Sequence, residues 1–361
     1  MINLLDRYIL KQFVLTLIFA VLALCLIFII VNLLESLDKF LDMNVSTLVI
    51  AQYYLYYLPE IMQILLPIAT LVATLFTIGG LSTLNEITAM KSGGRSLYRL
   101  MLPWLLFTFL LSFGHLWFNG WVVPVANQYK HEIESQYLNK SQKGGTIYNL
   151  FFRDAPTRNL VIQYYDSKQK MAGIVSVEEY TSEDKPRLKK RYEAEQMTWD
   201  DSTKQWIMSN VIVREYFNPL VQTQKYPEYP IKLNLSNTQI EQLKKNDKEM
   251  NLDERQNYIN LLQQGGKDVR VLSITYYGDY AFPFANLIVI LFGVPFASVR
   301  RKGGIAIQIA AAMIISFSYM IFTKVSQVLG NSMSFHPILA GWIANIIFFF
   351  VGLITIFRTK T

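Results

Sequence analysis

The chain has 361 residues, of which 52% are apolar, 14% aromatic and only 17% charged. This composition is typical of a polytopic membrane protein with one soluble insert and argues against an ordinary globular enzyme. The formal charge is +7, but the basic residues are not clustered with aromatic residues on one soluble element, which argues against nucleic-acid binding. The single cysteine, Cys25, lies in an apolar run and leaves neither a disulfide framework nor a cysteine-based metal site.

Residues 1–126 are predicted to form a first membrane block of three spans. Residues 1–12 are amphipathic and predict an interfacial elbow helix. The apolar run from Phe13 to Leu34 follows and is long enough to cross a bilayer. Charged residues return after Leu34, while an apolar stripe continues, so the first helix is expected to protrude from the membrane.

The second and third spans carry polar features that need partners. The second span, residues 53–80, contains Pro59 and Pro67, and prolines in lipid indicate that neighbouring helices cover the freed carbonyl groups. The third span, residues 100–125, contains His115. An intramembrane histidine can relay protons, but this span holds no acidic neighbour, so a packing role is favoured.

Between these two spans lies the polar, glycine-punctuated segment LSTLNEITAMKSGGRSLYRL, residues 81–100. Its one acidic residue, Glu86, sits among Leu84, Ile87 and Met90. Apolar anchors around one charge are typical of a docking surface, because they combine a buried foothold with an orienting ion pair. We therefore expect a cytoplasmic loop with a short helix that receives energy from a partner.

Residues 127–272 change character, with nearly balanced acidic and basic residues, and predict a water-exposed domain with its own core. Short β-branched or aromatic runs separated by turn residues predict an antiparallel sandwich or open barrel. The predicted strands cover residues 146–152, 159–165, 173–180, 191–199, 205–216 and 231–235.

Helical periodicity appears in this insert only after Thr238. A second helix there is predicted to be capped by Asn251 and stopped by Gly265 and Gly266. The insert contains no HExxH motif, no nucleophile elbow and no metal-ligand spacing. A binding or conduit role is therefore favoured over chemistry.

Residues 273–361 are predicted to form a second membrane block, with spans at about 276–299, 305–329 and 335–357. The total is six. With the N-terminus in the cytoplasm, nearly all basic residues of the short loops fall on the inner side, as the positive-inside rule predicts. Both termini are then cytoplasmic and the β domain is outside. The inner basic residues are Arg7, Lys11, Lys91, Arg95, Arg99, Arg300, Arg301, Lys302, Arg358 and Lys360.

Two lysines lie near the outer side of the membrane. Lys39 is the basic residue of the short outer loops, among several acidic residues. Lys324 lies in the outer third of the fifth span, where an ammonium group must face protein, water or an anionic ligand, or extend to the headgroups. Extension to the headgroups and a place in a substrate cavity both remain open for Lys324.

Taken together, three spans, a large extracytoplasmic β domain and three more spans resemble the lipopolysaccharide export permease family, LptF and LptG. The motifs that carry the resemblance are LLDRYILKQF at the N-terminus, NEITAMKSGG after the second span, LFGVPFASVRRKGG at the end of the fourth and FHPILAGWIAN near the last. The N-terminal motif, the ESLDK stretch and the last motif look more like LptG. The resemblance implies an α-helical membrane protein with six transmembrane helices and a β-jellyroll-like domain inserted between the third and fourth helices.

The resemblance also implies partners. Family members pair as a heterodimer of two permeases on an LptB-type ATPase dimer, extract lipopolysaccharide from the inner membrane, and pass it with an LptC-type protein to a periplasmic bridge. No GxxxxGK[ST] motif occurs in this sequence, so ATP is expected to be hydrolysed by the partner, with no cofactor bound by this chain. The alternatives are another ABC permease that drives a periplasmic machine, and a membrane receptor or assembly scaffold.

Residue roles follow from the same resemblance. Glu86 matches the acidic residue of the family's coupling helix, which enters a groove on the ATPase. Lys39 matches one basic position at the outer end of the first helix, whereas Asn32 and Asp38 stand where others have lysine. Lys324 or the partner permease is a candidate for the missing charge.

Overall fold

The structure is a computed structural model that describes residues 3–138, 146–167, 169–183, 185–217, 220–243, 245–298, 304–332 and 335–358. It divides into a membrane unit of Met1–Leu138 with Arg270–Thr361 and a β unit of Asn139–Val269. The membrane unit is helical, and the β unit combines one sheet with short helices.

Among the described residues, six helical segments are long and apolar enough to cross a membrane: Leu4–Asp42, Thr47–Thr83, Tyr98–Tyr137, Arg270–Ala297, Met313–Ser332 and Pro337–Arg358. The predicted fold class of six transmembrane helices with a β domain between the third and fourth is confirmed. A π-helical turn, Phe118–Val122, lies within the third span, and a 3₁₀ turn, Phe282–Phe284, lies within the fourth. The α-helices are α1 (Leu4–Asp42), α2 (Thr47–Thr83), α3 (Glu86–Ser92), α4 (Leu97–Trp117), α5 (Val123–Tyr137), α6 (Asn237–Gln242), α7 (Leu252–Gln264), α8 (Arg270–Ala281), α9 (Ala285–Ser298), α10 (Gly304–Ser332) and α11 (Pro337–Arg358).

The prediction of a separate elbow helix over residues 1–12 is wrong. Helix α1 runs without a break from Leu4 to Asp42. Its sequence contains neither glycine nor proline, so no residue of that kind interrupts the backbone hydrogen bonds. Ile9 and Phe13, one turn apart, are buried in the same apolar core as later residues of the helix. The amphipathic start is therefore the first part of one continuous helix.

A buried polar network shows how the membrane unit accommodates Pro67. Because proline lacks an N–H, the carbonyl of Gln63, four residues earlier, has no helical partner. The His115 ring lies with Nε2 3.1 Å from this carbonyl and Nδ1 2.9 Å from the Asn286 amide. A neutral ring that donates from Nε2 and accepts at Nδ1 satisfies both contacts. The prediction that a neighbouring helix covers a freed carbonyl is confirmed, and His115 has the packing role.

The fourth and sixth spans approach each other closely at a glycine. A β-carbon at Gly341 in α11 would lie 2.8 Å from the backbone nitrogen of Gly278 and 2.8 Å from the backbone carbon of Tyr277 in α8. Nearby, the Asn345 side-chain amide donates to the carbonyl of Ala281, where the fourth span changes to a 3₁₀ turn. The close approach of α11 to α8 thus requires glycine at position 341. The carbonyl of Ala281, at the change from α-helix to 3₁₀ turn, has the Asn345 amide as its hydrogen-bond donor.

In the part of the β unit that the structure describes, one six-stranded sheet is present, and each strand pairs antiparallel with the next along the chain. The predicted antiparallel β domain is confirmed, and its strand order is that of a meander, a detail that the hydrophobic pattern leaves open. The strands are β1 (Thr146–Ala155), β2 (Arg158–Asp166), β3 (Met171–Tyr180), β4 (Leu188–Asp200), β5 (Gln205–Phe217) and β6 (Leu220–Ile231).

The predicted last strand, residues 231–235, is wrong. The strand β6 covers Leu220–Ile231 and ends where the prediction begins. Pro227 and Pro230 argue against a strand in the sequence, but prolines are tolerated on an edge strand, and β6 is the last strand of the sheet. Most of its side chains are exposed, so it shows no buried alternation to reveal it.

The chain after β6 covers the buried face of the sheet. Trp206 is fully buried and donates from its indole nitrogen to the carbonyl of Leu235 over 2.7 Å. Helix α7 begins at its predicted cap, Asn251, whose side chain accepts from the backbone N–H of Glu254 over 2.8 Å. It ends before the predicted glycine pair, and Gly266 has a φ of +73°, a conformation that favours glycine. This predicted helix is confirmed.

Candidate functional site

The predicted docking segment between the second and third spans forms helix α3, Glu86–Ser92. Asn85 precedes it with a φ of +59°, and Gly94 follows it with a φ of +82°. Asparagine and glycine are the residues that adopt this left-handed conformation most readily, so both corners suit their residues. The sequence therefore turns sharply on both sides of one short helix, and the prediction of a loop with a short helix is confirmed.

The apolar residues of this segment divide into two groups. Ile87 is only 6% exposed and belongs to the core of the membrane unit, and Met90 is partly buried against the same core. Leu84, at the end of α2, is 67% exposed. Ile87 therefore fixes the short helix to the membrane unit, while Leu84 presents an apolar side chain outward.

Glu86 is partly exposed, and its carboxylate is held by a residue from the start of the first helix. The hydroxyl of Tyr8 lies 3.2 Å from Oε2 and 3.5 Å from Oε1 of Glu86. Tyr8 is 44% exposed, so the contact is near the surface. This hydrogen bond orients the carboxylate and leaves it accessible to a cation from outside the chain.

A second contact joins the first helix to the end of the docking segment. Arg99 Nη2 lies 3.1 Å from Oδ2 of Asp6. Asp6 is 3% exposed, and the same oxygen accepts the backbone N–H of Asn3 over 3.1 Å, which caps α1. The ion pair neutralises one of the basic residues that the sequence pattern assigns to the inner side, and it fastens the start of α4 to the start of α1.

We call this end of the membrane unit, with the start of α1, helix α3 and the end of α11, the termini end. The ring of Tyr98 lies 6.5 Å from that of Phe357, which brings the start of the third span to the end of the sixth. Arg7, Lys11 and Arg358 are exposed here. Arg300, Arg301, Lys302 and Lys360, which the sequence assigns to the same side, lie outside the described residues.

At the opposite end of the membrane unit, Lys39 is exposed in the last turn of α1. Asn32 accepts a hydrogen bond from the Tyr54 hydroxyl over 3.2 Å. Because this amide fastens the first helix to the second, Asn32 has a structural task where the family resemblance suggests a lysine. Phe40 packs edge-on against Tyr53, with ring centroids 5.5 Å apart, and closes the same helix pair.

Lys324 lies eight residues before the end of α10 and is exposed. Ile321 and Val328, one turn away on either side, are 63% and 65% exposed. The ammonium group thus emerges from an apolar, outward-facing surface of the helix. This position is compatible both with extension of Lys324 to the headgroups and with a place in a substrate cavity.

Comparison with known proteins identifies the chain. Residues 7–358 match the model of the family described as lipopolysaccharide export system permease LptF/LptG. The chain belongs to this family. It is also similar to the lipopolysaccharide export system permease protein LptG of Escherichia coli, with 21% identity over 364 residues, 98% of this chain and 98% of the relative, in two strains.

The match to the LptF/LptG family covers all the candidate residues. Glu86, Leu84, Ile87, Met90, Lys39 and Lys324 lie within residues 7–358. The structure brings the first four together at the termini end and places the two lysines away from it. Their roles in ATPase coupling and substrate binding stay predictions.

Sequence reasoning on this LptF/LptG-family permease missed the residues that hold the docking segment. Tyr8 and Glu86 are 78 residues apart in the chain, and Asp6 and Arg99 are 93 residues apart. The signal in the sequence was Asp6, an acidic residue at the start of an apolar helix. A buried carboxylate without a countercharge there would cost folding free energy. That signal calls for a basic partner, but it does not say which one.

Proposed function

We propose that this LptF/LptG-family chain is a permease subunit of an ABC-type exporter. It extracts lipopolysaccharide from the inner membrane and passes it to a periplasmic bridge toward the outer membrane. A partner ATPase of the LptB type hydrolyses the ATP, and this chain binds no cofactor. Both termini lie in the cytoplasm, and the β unit lies in the periplasm.

The observation that carries the proposal is the outward presentation of Glu86 and Leu84 on a segment whose other apolar residues hold it to the membrane unit. An exposed leucine next to an oriented carboxylate gives a partner an apolar contact and a charged contact. The exposed Arg7, Lys11 and Arg358 at the same end support a cytoplasmic location, because basic residues favour the inner side.

The partners of this complex are an LptB-type ATPase dimer, a second permease of the same family and an LptC-type protein. The second permease would be LptF if this chain acts as LptG. The exposed apolar face of α10 around Lys324 supports a second membrane subunit or lipid as its neighbour. Lipopolysaccharide carries anionic phosphates, and Lys39 and Lys324 are proposed as its basic contacts.

Affinity purification of the tagged chain in mild detergent tests the proposal. We expect an ATPase, a second six-span permease and bound lipopolysaccharide to copurify with the wild type. Glu86→Lys should lose most of the ATPase, while the matched charge reversal Asp253→Lys, at an exposed acid of the β unit, should retain it. Recovery of the wild-type chain alone and free of lipid would contradict the proposed function.

A further inference from the structure

We propose that Tyr8, Asp6 and Arg99 are positioning residues that fasten the first transmembrane helix to the docking segment, so that movement imposed by the ATPase on that segment is delivered to α1. This inference rests on the proposed function, since it presupposes a partner at Glu86. It adds the route by which force leaves the docking segment, and it assigns a task to the first turns of α1.

The two contacts hold the docking segment at both of its ends. Tyr8 bonds to Glu86 at the first residue of α3, and Asp6 pairs with Arg99 in the first turn of α4. Both partners on α1 lie within three residues, so they belong to a single turn of that helix. Displacement of the docking segment therefore moves the first turns of α1, which contain both Asp6 and Tyr8.

The Asp6–Arg99 pair is the durable contact. The Asp6 carboxylate is 3% exposed, and its Oδ1 atom is buried without a hydrogen-bond partner in the described part of the chain. Loss of Arg99 would leave a buried carboxylate without its countercharge, which is strongly unfavourable. The pair therefore stays closed while the docking segment moves.

The Tyr8–Glu86 contact lies near the surface and is compatible with a docked partner. The Tyr8 hydroxyl occupies one of several acceptor positions of the Glu86 carboxylate, so a cation of the partner can bind the same carboxylate while the Tyr8 contact is kept. Tyr8 thus orients Glu86 before docking and joins it to α1 afterwards.

Helix α1 is suited to carry the movement across the membrane. It extends over 39 residues without glycine or proline, a length of about 58 Å, and Lys39 lies in its last turn. Much of its remaining surface is exposed and apolar, as at Phe19, Leu22 and Leu26. One face of α1 packs against the core, the other is exposed, and no glycine or proline allows the helix to bend. It therefore tilts as one rigid body, so displacement at Tyr8 also displaces Lys39.

The first test is Tyr8→Phe in the purified complex with its ATPase, reconstituted in proteoliposomes with lipopolysaccharide. We expect the ATPase to copurify normally, and the lipid released per ATP hydrolysed to fall about threefold to tenfold, the effect of one ordinary hydrogen bond, because this contact lies near the surface. Tyr98→Phe is the matched control, because Tyr98 is 41% exposed at the same end and phenylalanine retains its contact with Phe357. It should release lipid at the wild-type ratio.

The second test exchanges the charges of the durable contact. Arg99→Asp alone should lower lipid release per ATP at least as much as Tyr8→Phe, and Asp6→Arg combined with Arg99→Asp should restore most of it, because the pair is re-formed in the opposite sense. Wild-type ratios for Tyr8→Phe and for Arg99→Asp would overturn the inference while leaving the proposed function intact. Absence of an ATPase from the wild-type preparation would overturn both.

Discussion

Replacing His115 by alanine removes the hydrogen-bond donor that satisfies the carbonyl of Gln63, which Pro67 leaves without a helical partner. The cost has two parts. An unsatisfied buried acceptor costs about 1–3 kcal/mol, and the space left by the ring adds a packing loss. Asn286 retains one acceptor, because its amide also donates to the carbonyl of Pro283 over 2.8 Å. We expect the free energy of unfolding to fall by about 2–4 kcal/mol.

The specific part of this cost can be isolated by removing the proline. Alanine at position 67 supplies an N–H that donates to the Gln63 carbonyl within the helix. His115→Ala should therefore cost about 1–2 kcal/mol less in a Pro67→Ala background than in the wild type, while the packing loss stays the same. Pro59→Ala is the matched control, because Pro59 lies in the same helix and frees a different carbonyl, so its effect should add to that of His115→Ala.

The assay is equilibrium unfolding of the purified chain in mixed micelles, with the four variants of the cycle and the two control variants measured in parallel. A coupling energy near zero between His115 and Pro67 would refute the reasoning, because it would show that the histidine is not the partner of the freed carbonyl. Equal coupling to Pro59 and Pro67 would refute it as well, since the effect would then reflect helix flexibility in general.

Three further outcomes are expected. Gly341→Val should destabilise the membrane unit by about 1–3 kcal/mol in the same unfolding assay, because a β-carbon there would lie 2.8 Å from backbone atoms of α8. Gly80→Ala is the control: a β-carbon at Gly80 would have no neighbouring atom within 4 Å, so this variant should be neutral or slightly stabilising. Hydrogen bonds from the following turn lower the pKa of Asp200 to about 2. The contribution of Asp200 to stability is therefore complete above about pH 4 and is lost toward about pH 2. Hydrogen exchange of the β4–β5 hairpin should show this pH dependence, and the Asp200→Ala variant should lack it. Lys39→Glu should weaken photocrosslinking of lipopolysaccharide to the complex, and unchanged crosslinking would mark Lys39 as an ordinary surface lysine.

The long elements of the fold could be predicted because each one leaves a local signal. Runs of apolar residues revealed six spans. Pro67 correctly indicated that a neighbouring helix covers the carbonyl it leaves unpaired. Asn251 and Gly266 marked both ends of α7, since capping and left-handed turns depend on a few adjacent residues. These features need no knowledge of distant contacts.

The errors occurred where the signal was absent or ambiguous. Strand β6 is an exposed edge with two prolines, so neither alternation nor β propensity identified it. An amphipathic start to α1 suits a separate short helix as well as the first turns of a continuous one, and only the packing of Ile9 and Phe13 decides between them.

The candidate site shows the same limit. Glu86 could be selected because it is the one acid of a polar segment, but the sequence does not show that Ile87 is buried in the membrane unit while Leu84 is exposed. The partner of Glu86, Tyr8, lies 78 residues away, and the sequence holds no local pattern that pairs them. Long-range hydrogen bonds of single side chains depend on how the helices assemble.

Energy from ATP is proposed to enter this permease at Glu86. The most direct measurement is ATP-dependent release of lipopolysaccharide from proteoliposomes that contain the complex, with the wild-type chain, Glu86→Lys or the charge-reversal control Asp253→Lys. We predict normal release for the wild type and the control, and a loss of about tenfold or more for Glu86→Lys, with the variant chain still inserted in the membrane. Release by Glu86→Lys at the wild-type rate would contradict the account.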